Sequence, residues 1–240
     1  MPAQEWQKMS AELTSALHLA HPPIGITFST EAPEGVAPFD APMAEPAPDG
    51  RTGRVPAGCV FWMRAAESAF TTEAADHGNC SVGSLTHGLK TAEEVAGNGD
   101  VAALVESGWA PEGMLSMLPA VTGRPTHVTY GPLGATPVDP DVVMIRMNAK
   151  QLMVLSDAVP DLRIEGKPQC HIIPLATEEG AVAASVGCML SRVRTGMSSH
   201  ETACVIPAGR LGEVLEQLET TSRADAAVAA YAGEDARRFL

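Results

Sequence analysis

The chain has 240 residues, enough for one large domain or two small ones to fold around a core without disulfides or a metal. Its composition, with 45% hydrophobic and 19% charged residues, is that of an ordinary soluble globular protein. Sixteen basic against 29 acidic residues give a net charge of −13, which repels nucleic acid and anionic membranes, so we expect neither as a partner.

The N-terminal quarter combines regular and irregular segments. Hydrophobic residues recur at helical spacing over residues 3–19, which predicts an amphipathic helix that ends before two consecutive prolines. Residues 24–29 (IGITFS) alternate as in a strand. Residues 31–56 are dense in proline, glycine and acidic side chains, which predicts a long irregular surface loop.

The middle of the chain alternates between predicted helices and strands. A short helix is expected after Cys59, and one or two helices follow from Thr91, with an interruption at residues 97–99 (GNG). The next predicted elements are strands at 127–130 and 141–147 and a helix at 149–159. This alternation is typical of proteins in which helices pack against a sheet.

The C-terminal third continues the alternation. Residues 166–176 are expected to be helical despite Pro168, and the strand predicted at 181–186 ends at Gly187 and Cys188. The remaining predicted elements are a strand at 202–206 and helices at 209–221 and 225–239. We therefore expect an α/β or α+β fold, with a mixed β-sheet flanked by helices.

One stretch, DHGNCSVGSLTHGL at residues 76–89, places two histidines and a cysteine among glycines and small polar residues. Its cysteine, Cys80, resembles Cys59 and Cys188 in that each neighbours a glycine or other small residues, which let the backbone approach a bound group closely. Because thiolates are good metal ligands, these three cysteines are candidate ligands. The two histidines of the stretch are His77 and His87.

The other two cysteines differ from these three. Cys204 alternates with apolar residues inside a predicted strand, which is typical of a buried structural thiol. Cys170 lies beside His171 in the stretch expected to be helical, and it fits either role. Five cysteines spread over a long chain that shows no export signal indicate reduced thiols and a cytoplasmic protein. We find no apolar run long enough to predict a membrane span.

These residues alone leave four interpretations open. A [4Fe–4S] cluster held by Cys59, Cys80 and Cys188 has one iron without a protein ligand, and we favour this arrangement. The same cysteines with His77 form a zinc site, although the Cys-x-x-Cys pairs typical of structural zinc are missing from the sequence. The third interpretation is a catalytic cysteine with His77 or His87 as its base, and the fourth is a purely structural role for all of them.

Four segments resemble, in order and spacing, the landmarks of DUF169, an uncharacterised archaeal and bacterial family: GCVFWMRA, FTTEAADHGNCSVGSLTHGL, SVGCMLSR and ETACVIPAGRLGEVLEQL. The resemblance extends over nearly the whole chain and implies a single domain, residues 1–240. The positions that match the family pattern are Cys59, His77, Cys80, His87, Cys188, Arg192 and Glu201. Cys170 and Cys204 match it less well, and the loop at 31–56 is longer than the pattern implies. The family name carries no activity.

Our leading hypothesis for function is a cluster-dependent desulfidase. The open iron polarises the carbon–sulfur bond of a small thiocarbonyl or thioamide compound, such as a thiohydantoin or thiopyrimidine, and water displaces the sulfur as sulfide. Known cluster-dependent desulfidases belong to a different family, so this step is an analogy. The roles assigned are Cys59, Cys80 and Cys188 as cluster ligands, Glu201 as general base, His77 and Ser81 as further catalytic residues, and His87 and Arg192 as substrate-binding residues.

Two alternatives use the same residues. One is a non-catalytic iron–sulfur or metal carrier or redox protein, which docks a partner through the loop at 31–56. The other is a zinc-dependent hydrolase, in which zinc-bound water is the nucleophile. Homodimers are the commonest oligomers of soluble proteins, and a homodimer is our expectation on that ground alone.

Overall fold

A β-sheet organises the protein, and the computed structural model describes residues 2–240. The strands in that range are β1 Ile24–Ser29, β2 Phe70–Glu73, β3 His127–Pro132, β4 Val142–Met147, β5 Arg163–Glu165, β6 Ala183–Ser185 and β7 Thr202–Pro207. They form one sheet in the order β2-β3-β1-β4-β7-β6-β5. Neighbouring strands are antiparallel except β5 and β6, which are parallel. The predicted mixed sheet flanked by helices is therefore confirmed.

The α-helices of the described residues are α1 Ala3–Leu17, α2 Cys59–Arg64, α3 Ser81–Thr86, α4 Ala92–Val95, α5 Gly99–Glu106, α6 Met114–Met117, α7 Ala149–Ala158, α8 Ile172–Glu179, α9 Met189–Thr195 and α10 Leu211–Ala236. A short 3-10 turn at Gln169–His171 leads into α8. No helix within residues 2–240 has both the length and the apolarity needed to cross a bilayer.

The sheet separates two hydrophobic cores, because alternate side chains of a strand point to opposite faces. In β4, Val142 and Met144 pack into one core, whereas Val143 and Ile145 pack into the other. The second core is covered by long helices through Leu13 of α1, Leu155 of α7 and Leu218 of α10. The first core contains Phe61, Tyr130 and Cys170, and we call this side the cysteine face of the sheet.

The sequence-based boundaries were wrong in two places near the C-terminus. Residues 166–176 do not form one helix, because Pro168 lacks an N–H donor and disfavours helical geometry at the residue before it. The helices predicted at 209–221 and 225–239 are joined in α10, since no glycine or proline interrupts the chain between them. Strands β2 and β5, of four and three residues, were not predicted.

The loop at 31–56 contains no helix or strand, as predicted, but its C-terminal half is hydrogen-bonded to the stretch at residues 76–89. Arg51 Nη1 donates to the carbonyl oxygen of Asn79 at 2.9 Å, and Asn79 Nδ2 donates to the carbonyl oxygen of Val55 at 3.1 Å. A Cβ atom on Gly78 would lie 2.1 Å from the carbonyl oxygen of Thr52, so this contact requires glycine. The loop therefore packs against the segment that contains His77 and Cys80.

Candidate functional site

Four cysteines from four separate segments each lie at the start of a helix. Cys59 is the first residue of α2, and Cys80 and Cys188 immediately precede α3 and α9. Cys170 lies in the turn that leads into α8. All are buried except Cys59, which is partly exposed. Of the four, Cys80 has a hydrogen bond from a backbone N–H of its helix, that of Gly83.

The four thiols are electrostatic neighbours. Burial and the neighbouring Cys80 raise the pKa of Cys59 to about 12, and Cys188 contributes in the same direction. Burial, followed by Cys59 and Cys80, raises the pKa of Cys170 well above its ordinary value. Cys59 and Cys170 are therefore protonated at neutral pH, and a metal that binds them must displace their protons.

The described side chains are not arranged as a single-ion metal site. Among residues 2–240, no three Cys, His, Asp or Glu side chains are placed to hold one metal ion. A single zinc ion brings its ligands within about 2.0–2.3 Å of one position. Zinc binding by Cys59, Cys80, Cys188 and His77 would therefore require these side chains to move.

His77 presents an unprotonated ring nitrogen beside Cys59. Its Nε2 lies 3.0 Å from Thr72 Oγ1, whose own proton goes to the carbonyl oxygen of Val128. Nε2 therefore carries the ring proton and donates it to Thr72, and Nδ1 is left with a lone pair. Nδ1 packs against Gly58, 3.1 Å from where a Cβ atom would lie, and finds no hydrogen-bond partner in the described chain.

His87 has the opposite tautomer. Its Nδ1 donates to the carbonyl oxygen of Gly83 at 2.8 Å, so Nε2 has the lone pair, and within residues 2–240 that atom is also without a partner. The rings of His77 and His87 are 5.4 Å apart between centroids. Burial holds the pKa of His77 well below its ordinary value and lowers that of His87 to about 4. Both rings are neutral acceptors at neutral pH.

The pKa of His87 predicts how stability depends on pH. An unfolded histidine titrates near 6.5, so between pH 6.5 and about 4 the unfolded chain binds a proton that the folded chain does not. The free energy of unfolding should fall as pH falls through this window, by up to about 1.4 kcal/mol per pH unit from this residue. Urea unfolding between pH 7 and pH 5 should show a shallower slope for His87→Gln than for the native chain. Cys204→Ala provides the control, because burial raises the pKa of this thiol far above the window, and its loss should keep the native slope.

Tyr130 of β3 adds a donor on the sheet side of the thiols. Burial, followed by Cys59 and Cys170, raises the pKa of its phenol well above the ordinary value, so the hydroxyl group stays protonated. The hydroxyl oxygen is buried and unpartnered as far as the structure describes the chain. Tyr130 therefore has an unused O–H donor close to Cys59 and Cys170.

Gln169 connects Cys59 to α9. Its Nε2 lies 3.3 Å from Cys59 Sγ and 2.9 Å from Ser191 Oγ, and it donates to both. Its Oε1 is buried, and the described residues supply no donor to it. The side chain thus fixes the orientation of α9 relative to Cys59 and leaves an acceptor unused.

Cys80 lies between charges of opposite sign. Burial raises its pKa, the N–H of Gly83 and the guanidinium of Arg194 lower it, and the carboxylate of Asp100 raises it. Asp100 is held by Arg51 at 3.4 Å from the loop at 31–56. The sequence analysis did not name Arg194 as a functional residue. Its position three residues after Ser191, on the same side of α9, is what relates it to the site.

Three of the predicted functional side chains are engaged in other bonds, and their assigned roles stay predictions. Ser81 Oγ donates to Asp100 at 2.7 Å and accepts from Asn98 at 2.8 Å. Glu201 Oε1 accepts from Arg146 Nη2 at 2.8 Å, and Arg192 Nη2 donates to the carbonyl oxygen of Glu201. These hydrogen bonds give Ser81, Glu201 and Arg192 a structural role that does not require a substrate.

The two cysteines that matched the family pattern less well lie on opposite sides of the sheet. Cys170 lies among the thiols of Cys59 and Cys80, although the sequence left its role open. Cys204 of β7 is fully buried in the core of the opposite face. Successive residues of a strand point to opposite faces of the sheet, and the side chain of Cys204 points away from the site. Its predicted burial is confirmed.

The comparison with family models assigns residues 12–217 to DUF169, described as uncharacterised ArCR. This range includes every cysteine and histidine of the site. No curated protein and no solved structure matches the chain.

Proposed function

The chain belongs to the DUF169 family, and because that family is uncharacterised, we propose a function from its residues: it is an iron–sulfur protein whose cluster is held among Cys59, Cys80, Cys170 and Cys188. One observation carries the proposal, namely that thiols from four separate segments are electrostatic neighbours in a buried site. Iron–sulfur clusters are held by cysteine thiolates, and those cysteines need not be close in sequence.

The mutual proximity of four thiols suits a cluster, which takes thiolate ligands on several iron atoms. The pKa of Cys170 responds to Cys59, Cys80 and Cys188, and the pKa of Cys59 responds to Cys80 and Cys188. The four thiols therefore form one group, as an iron–sulfur cluster requires of its ligands.

Unused polar atoms around the thiols support the presence of a bound group. Each buried polar atom without a partner costs about 1–3 kcal/mol. Ten side-chain atoms of the described residues are of this kind, and the five that we assign to the site are His77 Nδ1, His87 Nε2, Tyr130 Oη, Gln169 Oε1 and Arg194 Nη1. Cluster sulfur atoms accept hydrogen bonds, so the donors of Tyr130 and Arg194 suit a cluster. The other three atoms, on His77, His87 and Gln169, are acceptors, and a cluster sulfur offers them no donor.

Those three acceptors favour a second candidate function, the desulfidase. If Cys170 is not a ligand, one iron is available as a soft Lewis acid for a thiocarbonyl sulfur. His87 and Gln169 then accept hydrogen bonds from the N–H groups of a thioamide or thiohydantoin and hold it in place, and the lone pair of His77 remains available to the attacking water. Water supplies the oxygen that replaces sulfur, and the sulfur leaves as hydrogen sulfide.

The geometry suggests a different base for that reaction than the sequence did. Glu201 is paired with Arg146 and lies 3.2 Å from His21 Nε2. The lone pair on His77 Nδ1 lies beside Gly58, the residue before Cys59. We propose His77 as the group that accepts the proton of the attacking water, with Thr72 fixing its tautomer.

Metal analysis of protein purified without oxygen tests the first proposal. We expect about four iron atoms and four acid-labile sulfides per chain and a brown protein with broad visible absorption. Zinc without iron would support the hydrolase, and protein that contains neither metal after anaerobic reconstitution with iron and sulfide would contradict both iron–sulfur proposals.

Cys170→Ala separates the redox protein from the desulfidase. If four thiolates hold the cluster, this variant should lose iron or convert to a three-iron form, which electron paramagnetic resonance detects. If Cys170 is not a ligand, the variant should keep the native iron content, and both proteins should release sulfide from a thiohydantoin. Native iron content without sulfide release would contradict the desulfidase alone.

A further inference from the structure

Helix α9 directs one side toward the thiols. Ser191 Oγ accepts from Gln169 Nε2, which also donates to Cys59, so the side of α9 that carries Ser191 faces the site. Arg194 follows Ser191 by three residues and lies on the same side of the helix. Arg192, by contrast, donates to the carbonyl oxygens of Val186 and Glu201.

Arg194 has a buried donor that the described residues leave unused. Its Nη1 is inaccessible to solvent and has no hydrogen-bond acceptor within residues 2–240. The same is true of Arg146 Nε and Arg192 Nη1, but both of those guanidinium groups have other bonds at Glu201. Arg194 therefore lies on the side of α9 that faces Cys59, with a donor that the described residues do not occupy. A buried guanidinium N–H of this kind is a donor for negative charge.

We propose that Arg194 compensates the negative charge of the cluster held by the site thiolates and thereby raises its reduction potential. This inference rests on the proposed iron–sulfur function. An oxidised [4Fe–4S] core carries a charge of about +2, so with four thiolates the cluster has a net charge of about −2. One-electron reduction adds another negative charge. A fixed guanidinium in a buried site stabilises the more negative, reduced state more than the oxidised state. His77 and His87 are neutral and Arg51 is paired with Asp49 and Asp100, so none of them replaces it.

Potentiometric titration of the reconstituted protein tests this role. Dithionite supplies one electron per cluster, and electron paramagnetic resonance follows the reduced form. We expect Arg194→Gln, which removes the charge, to lower the midpoint potential, and Arg194→Lys to keep it near the native value. Arg210→Gln is the matched control, because Arg210 pairs with Asp161 next to α10, on the face of the sheet opposite the site.

The outcomes separate the two proposals. Equal potentials for the native protein and Arg194→Gln would overturn the role of Arg194 while the iron–sulfur function stands, and no cluster in any of the proteins would overturn the function itself. If Arg194→Gln fails to hold a cluster, then cluster binding by Arg194→Lys at the native potential supports a role for the charge. Loss of the cluster in Arg194→Lys as well would mean that the shape of the arginine matters, and it would contradict the inference.

Discussion

Replacing Cys80 with alanine is expected to abolish iron–sulfur binding, with iron and sulfide falling from about four of each per chain to near zero. Cys80 immediately precedes α3, and its pKa responds to the charges of Cys188, Asp100 and Arg194. Removing its thiolate takes away one of the ligands that we propose for the cluster. Iron and sulfide analysis after anaerobic reconstitution, together with the visible spectrum, measures the loss.

Cys204→Ala is the matched control for this substitution. Cys204 is also a buried cysteine, but it lies in the core on the opposite face of the sheet. This variant should bind as much iron as the native protein, although the small cavity lowers the free energy of unfolding by about 1 kcal/mol. Equal iron loss in both variants would show that the loss follows from general destabilisation, and full iron content in Cys80→Ala would remove Cys80 from the ligand set.

Gly88→Ala is expected to lower the free energy of unfolding by about 2–5 kcal/mol. Gly88 has φ of +72°, and a Cβ atom there would lie 2.3 Å from the carbonyl oxygen of Val121. The substitution therefore adds left-handed backbone strain and also pushes against the segment that pairs with α3 through Val121 N–H and the carbonyl oxygen of Thr86. Urea unfolding at pH 7 measures the difference.

Gly108→Ala separates the two sources of strain. Gly108 has φ of +69°, but no atom of residues 2–240 outside its immediate neighbours lies within 4 Å of the added Cβ position. Its substitution should cost only the backbone term, about 1–2 kcal/mol. Similar losses in both variants would show that the segment around Val121 moves away at little cost, contrary to the tight contact that we describe.

The residues of the site were only partly predictable. Cys59, Cys80 and Cys188 were selected because small neighbours allow close approach, and the structure places them near one another as electrostatic neighbours. Cys170 was left open because its segment was expected to be helical, whereas Pro168 ends that pattern and a turn leads the thiol toward the others. Arg194 was not predicted because the spacing of residues in a helix does not show which side of the helix faces the site. The contact between Gln169 and Ser191 shows this for α9.

The amino-acid sequence by itself determined the class of the fold, most of the strands, the family and the short list of residues with chemistry to offer. Local patterns suffice for these, because side-chain periodicity and glycine or proline positions act over a few residues. The tertiary structure alone decided that Cys170 joins the thiols and Cys204 does not, and that His77 and His87 are neutral with opposite tautomers. These properties depend on which face of the sheet a residue occupies and on partners distant in sequence, such as Val128 for the Thr72 proton, which local patterns do not specify.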